Sequence, residues 1–186
     1  GAGLTGPLLA TYLTQHGYEV DIYERRSDMR KETISAGRSI NLAMSVRGIQ
    51  ALKEVGIYEK IKPLTIPMKG RMIHGLNGST HLQPYGQKEE EVIYSVSRAT
   101  LNMELMSLAE ETGKIRIYFN QKCTHVDLDK KRFNILNEST REESDLSFQL
   151  IIGVDGSASA VRNSMVDRGE IQFTDKPLGH GYKELT

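Results

Sequence analysis

Gly1-Ala2-Gly3-Leu4-Thr5-Gly6 spells G-x-G-x-x-G at the head of the chain, and the fold is read outward from it. In such a loop the first glycine makes a tight turn. The second lets a pyrophosphate approach the backbone, and the third lets a helix pack closely on a sheet. The helix side is legible: Pro7 falls in the first helical turn, where its missing N–H costs little, and Leu4, Leu8, Leu9, Tyr12 and Leu13 recur at helical spacing before Gly17. The strand that should deliver the loop is expected just before Gly1.

After Gly17, Tyr18-Glu19-Val20-Asp21-Ile22-Tyr23-Glu24 is rich in β-branched and aromatic residues and ends on an acid 18 positions past Gly6. In a βαβ unit this puts Glu24 at the end of the second strand, where a carboxylate accepts hydrogen bonds from a ribose. The alternative is a glycine-rich helix entry in some other α/β protein, with Glu24 merely solvated.

Composition narrows the class. Lys plus Arg and Asp plus Glu are equal at 24 each, so no net field favours nucleic acid or an acidic partner. The single Cys123 excludes an internal disulfide framework, and five scattered histidines offer no metal-ligand spacing. No apolar run approaches a bilayer span. These features read as an intracellular, cytoplasmic α/β protein.

Further along, Val46–Val55 has helical periodicity and a stop at Gly56, while Arg25–Ser45 reads as a long connection. Met68–His74 and Val92–Val96 read as strands flanking a turn and loop region, Gly75–Gln87. Ser97 offers an N-cap for a helix carrying Leu101, Leu105, Leu108 and Ala109. Three short strands follow, near 115–119, 124–128 and 132–136, then a charged turn from Asn137 to Asp145. Phe148–Val154 reads as a buried strand leading through Asp155-Gly156 to a helix near Ser159–Val166. The expectation is a mixed sheet, begun by βαβ and interrupted by a hairpin-like insertion.

Leu150-Ile151-Ile152-Gly153-Val154-Asp155-Gly156-Ser157-Ala158-Ser159-Ala160-Val161-Arg162 narrows the reading. Alone it is an ordinary Asp-Gly turn between strand and helix. About 150 residues after a glycine fingerprint, it resembles the aspartate-glycine motif of the group A flavoprotein aromatic hydroxylases. Gly37-Arg38-Ser39-Ile40-Asn41-Leu42-Ala43, Ile66 to His74, Pro84-Tyr85-Gly86, Ser95 to Arg98 and His180 to Leu185 further resemble the kynurenine 3-monooxygenase family over essentially the whole chain.

The resemblance implies a Rossmann-like FAD-binding sheet with inserted β segments. Residues 1–178 would form the FAD-binding domain, with substrate-side strands inserted at about 66–96, and residues 179–186 would open a strand of the substrate domain. Gly1, Gly3, Thr5, Gly6, Tyr23, Glu24, Arg25, Arg26, Arg38, Ala43, Arg98, Cys123, Asp155 and Gly156 would serve FAD, with Asp155 also near the nicotinamide. Arg71 and Tyr85 would hold the substrate's carboxylate. Taken alone, Arg71 reads as an exposed cross-strand partner and Tyr85 as a turn aromatic.

The implied activity is hydroxylation of L-kynurenine to 3-hydroxykynurenine with NADPH and O2, through a flavin C4a-hydroperoxide, with no covalent or acid–base side chain. A further Gly-Asp flavin motif and the rest of the pocket would lie beyond Thr186, so these residues alone are expected to be inactive. The alternatives are another group A hydroxylase or epoxidase with a different substrate, and a noncatalytic FAD- or NAD-binding module.

Overall fold

A computed structural model describes residues 1–31, 40–88 and 90–181. Helix α1 (Thr5–Gln15) leaves the glycine loop and is followed by strand β1 (Val20–Tyr23). Then come β2 (Asn41–Met44), α2 (Val46–Glu54), α3 (Tyr58–Ile61) and a 3-10 turn at Lys62–Leu64. The middle holds β3 (Ile66–Met68), β4 (Gly70–His74), β5 (Thr80–Pro84), β6 (Ile93–Ser97) and α4 (Arg98–Glu110). The last part comprises β7 (Ile115–Tyr118), β8 (Gln121–Asp127), β9 (Arg132–Asn137), β10 (Glu143–Ser147) and α5 (Ala160–Asp167).

Among the described residues the strands form four small sheets rather than one mixed sheet. β1 and β7 pair in parallel, Val20 opposite Ile115. β2, β6 and β3 form an antiparallel trio centred on β6. The β4–β5 hairpin stands as its own pair, and β8–β9–β10 make a meander.

Helix α4 ties two of these sheets together, the β1–β7 pair and the β2–β6–β3 trio. Ser97 Oγ accepts the Thr100 N–H and caps it as expected. Leu101, Leu105 and Leu108 enter one apolar cluster with Leu52, Ile61 and Val96. Met106 and Ala109 enter a second with Ala2, Ala10, Ile22 and Ile115. A third cluster, Val126, Phe133 and Ile135, lies under the meander, with Tyr23 and Val161 packed against it.

Further expectations change, beginning with β2, which lies inside the presumed connection Arg25–Ser45. Helix α1 buries Gly6, Pro7, Ala10, Thr11 and Thr14 rather than a leucine face. Small residues permit close helix packing, and Thr11 and Thr14 return their hydroxyls to Pro7 O and Thr11 O. Phe148–Val154 forms no ladder among the described residues, and Leu150 and Ile152 are 68% and 45% exposed. An apolar run becomes a strand only where an edge lies beside it.

The presumed loop Gly75–Gln87 contains β5, closed by a turn in which Asn77 Oδ1 accepts both Ser79 N–H and Ser79 Oγ–H. The charged turn beyond Asn137 is half strand: β10 is polar, yet it pairs with β9 and its Asp145 receives Arg132 Nε at 2.7 Å. Elsewhere α2 ends at Gly56, whose φ is +76°. Residues 182–186, expected to continue a strand, lie outside the described residues.

Among the described residues no helix is long and apolar enough to cross a membrane. Ile61, with none of its side chain exposed, is the tightest point of the first cluster. Ile61→Ala should therefore cost about 2–5 kcal/mol, seen as a lower urea midpoint at unchanged slope in the full-length protein. An unaltered midpoint would mean that this cluster repacks freely.

Candidate functional site

The glycine loop is built against both neighbouring and distant chain. A Cβ on Gly6 would overlap Gly1 O, so close packing at this helix entry requires glycine. A Cβ on Gly1 would lie 3.1 Å from Val154 O and 3.6 Å from Asp155 Cα, which places the Asp155-Gly156 motif directly on the loop. At Gly3 the same test meets nothing within 4 Å: the backbone borders open space. Helix α1 begins there with exposed Thr5, no side-chain cap and no acid in its first turn. Its first N–H groups thus leave a positive end directed at whatever stands before Thr5.

Glu24 follows β1 and is only 6% exposed. Its backbone extends the β1–β7 ladder, with Glu24 N–H donating to Tyr118 O and Gln121 N–H donating to Glu24 O. Its Oε2 accepts Ala2 N–H at 2.7 Å, and its Oε1 accepts both Arg26 N–H at 2.9 Å and Arg26 Nε–H at 2.8 Å. Burial alone would raise the Glu24 pKa, but the Arg26 side chain, its N–H and the Ala2 N–H together hold it below the ordinary glutamate value. A cavity of about 160 Å³ opens beside it, lined by Ala2, Glu24, Arg26, Met29, Asn102 and Phe119.

The next segment is anchored as firmly. Buried Asp28 receives a two-pronged contact from Arg30, Nε to Oδ1 at 2.8 Å and Nη2 to Oδ2 at 2.9 Å. Arg30 Nη1 also donates to Glu110 Oε2 at 2.6 Å, fastening the segment to the end of α4. The planar guanidinium suits this double duty in a way an ammonium would not.

At the far end of the motif, Asp155 is a helix cap. Oδ1 accepts Ser159 Oγ–H at 2.5 Å, and Oδ2 accepts Ala160 N–H at 2.7 Å and Val161 N–H at 3.3 Å. Burial would raise its pKa; the Ser159 hydroxyl and the helix N–H groups outweigh it and hold the carboxyl below its usual range. The start of α5 is therefore already occupied by a carboxylate from its own chain. Gly156, at φ +81°, makes the turn that aims it.

The remaining expected residues scatter more widely. Tyr23 stacks on Tyr118 with ring centroids 5.1 Å apart and meets Phe133 edge-on, while Arg25 is exposed. Cys123 is half-buried on β8, its thiol pKa raised by burial and then by Asp155. Ala43 is exposed on β2, opposite Ser95, and Arg98 is exposed at the first position of α4, its N–H on Ile40 O. Arg38 lies outside the described residues.

Arg71 and Tyr85 belong to the β4–β5 hairpin. Arg71, on β4, lies opposite Gln83 and donates Nε–H to Gln83 Oε1 at 2.8 Å; Tyr85 stands one residue past the end of β5, its N–H on Lys69 O. Asn102, buried on α4, escaped the sequence reading. Its one signal is an amide amid Leu101, Leu105 and Met106.

Glu24 generates a pH test. Its folded pKa lies below the unfolded value near 4.3, so its contribution is full above that value and is lost as pH falls through the folded one. Glu24→Gln should lower stability at neutral pH by about 1–3 kcal/mol and flatten the acid limb of stability against pH, measured by urea denaturation in steps from pH 7 down to about pH 2. A variant that loses as much as the wild type on acidification would remove the buried carboxylate from its role.

The chain is 46% identical over 186 residues to kynurenine 3-monooxygenase of Myxococcus xanthus, covering all of this chain and 40% of that protein. It is 41% identical over 185 residues to kynurenine 3-monooxygenase of Anopheles gambiae, covering 38% of it. The chain thus spans about two fifths of the length of these relatives. The crystal structure of the flavin-dependent monooxygenase PieE in complex with FAD and substrate superposes with a TM-score of 0.72 at 16% identity. That match covers 89% of this chain and 31% of PieE, and it speaks to fold alone. The family described as FAD binding domain matches residues 1–173, which include the glycine loop, Glu24 and Asp155. The chain belongs to the FAD binding domain family.

Proposed function

We propose that this chain is the FAD-binding portion of a monooxygenase that hydroxylates L-kynurenine to 3-hydroxykynurenine with NADPH and O2. In this reading residues 1–178 form the cofactor domain, the strands within 66–96 face the substrate, and residues 179–186 open the substrate domain. The observation that carries it is the meeting of Gly1 with Asp155 beside the Ala2–Glu24 bond. The substrate is carried over from the names of the relatives.

The residues present fit FAD. A carboxylate offers about four acceptor sites, and Ala2 N, Arg26 N and Arg26 Nε take three of those on Glu24. One remains for a ribose hydroxyl. The open side of Gly3 and the uncapped start of α1 suit a pyrophosphate. Tyr23, Arg25, Arg26, Ala43, Arg98 and Cys123 would border other parts of the cofactor, as would Arg38. When bound, FAD supplies the redox and oxygen-activating chemistry, and the protein supplies position and shelter from water.

Arg71 and Tyr85 would act together, one from β4 and the other from just past the end of β5. A guanidinium grips a carboxylate through two parallel N–H bonds and a phenol adds a directed third. Gln83 on Arg71 Nε restrains the plane of that guanidinium. Holding the amino-acid end of kynurenine fixes where its aromatic ring stands, and such positioning is a large part of the barrier reduction open to an enzyme without a side-chain acid or base.

The test uses the full-length protein purified with FAD. NADPH- and O2-dependent formation of 3-hydroxykynurenine is expected. Turnover of a different aromatic instead would assign another hydroxylase, and retained cofactor with no substrate-stimulated NADPH oxidation would assign a binding module. Arg71→Ala should weaken L-kynurenine binding about 10- to 100-fold while FAD content per protein stays level. Parallel loss of both would take Arg71 out of the substrate pocket.

A further inference from the structure

Ala2 is completely buried, and both sides of its backbone are bonded to buried side chains from elsewhere. Its N–H donates to Glu24 Oε2 at 2.7 Å. Its carbonyl accepts Asn102 Nδ2–H at 2.9 Å, across 100 residues of sequence. Asn102 is itself only 6% exposed, and the same amide nitrogen lies 3.6 Å from Met29 Sδ. A buried amide in an apolar helix stretch is unfavourable unless it is bonded. Here its bond goes to the glycine loop.

The consequence follows from peptide geometry. Ala2 C=O and Gly3 N–H belong to one planar unit, and no cis peptide occurs among the described residues. In a trans peptide the two groups point in opposite directions. Drawing Ala2 O toward α4 therefore turns Gly3 N–H away from α4, while Gly3 borders open space. We propose that Asn102 is a positioning residue for the dinucleotide, orienting Gly3 N–H toward the FAD pyrophosphate by holding Ala2 O. Glu24 fixes the preceding peptide and Asn102 the following one.

This inference rests on the reading that the pyrophosphate lies over Gly3, and the experiment separates the two. FAD is titrated onto the full-length apoprotein, well below its melting temperature, with the dissociation constant read from flavin fluorescence. In Asn102→Leu, which matches the shape without the donor, the constant should rise about tenfold, the loss of one buried hydrogen bond. The 31P resonances of the bound FAD should shift while the visible flavin band holds its shape. Asn102→Ser provides the same readouts should the leucine variant not fold.

A lower apoprotein melting temperature with an unchanged FAD constant and unchanged 31P resonances would make Asn102 a core residue only and overturn the proposal. Wild-type protein whose bound FAD shows no 31P shift from free FAD would instead overturn the placement of the pyrophosphate at Gly3.

Discussion

The bond from Ala2 N–H to the Glu24 carboxylate is the constraint on which the rest of the site depends. A buried carboxylate is expensive unless its lone pairs are filled, and the chain fills three of about four with its own glycine loop and with Arg26. The loop thereby has its height above β1 set by a charge-assisted contact instead of by apolar packing, which would tolerate sliding. Once Ala2 is held, Gly6 must approach Gly1 closely, and Val154–Asp155 finds its place against Gly1. The site is thus assembled around a polar bond inside an apolar cluster.

Helix α4 makes that assembly rigid. Its leucines face the α2–α3 side, its Met106 and Ala109 face the β1–β7 side, and its end receives Arg30. A helix buried on two faces has little freedom to rotate, so Asn102 is presented to Ala2 from a fixed direction. Arg30 works on the other border of the cavity, tying the Asp28 segment to Glu110 and resting 5.6 Å over the Phe119 ring. The cavity wall beside Glu24 is consequently held by contacts from α4, β1 and the β7–β8 turn, none of which is adjacent in sequence.

What was legible in the sequence follows how local each signal is. The loop, Pro7, Gly17, the Ser97 cap, the Gly56 stop and the helix after Ser159 depend on neighbours within a turn, and all appear where they were expected. β5 and β10 were missed because both are polar and exposed, so their pairing depends on the partner strand and on contacts such as Arg132–Asp145. Phe148–Val154 packs on the meander through Phe148 and Ile151 while Leu150 and Ile152 stay exposed, and among the described residues no strand edge pairs with it. Within the site, Gly1 and Glu24 could be anticipated from spacing, and Asp155 from the family resemblance that the paired motifs carry. Asn102 could not, since its partner lies 100 residues away.

The two helix starts near the loop show how the chain divides its electrostatics. A helix N-terminus attracts negative charge wherever its N–H groups stand unpaired. At α5 that demand is met internally, by Asp155 on Ala160 and Val161 and by Ser159 on Arg162. At α1 neither a capping side chain nor a first-turn acid meets it. An incoming anion therefore gains more at α1, where it displaces no carboxylate, than at α5, where it would be repelled by one already in place. The two helix starts on either side of Gly1 thus differ in kind: Asp155 closes that of α5, and no side chain closes that of α1.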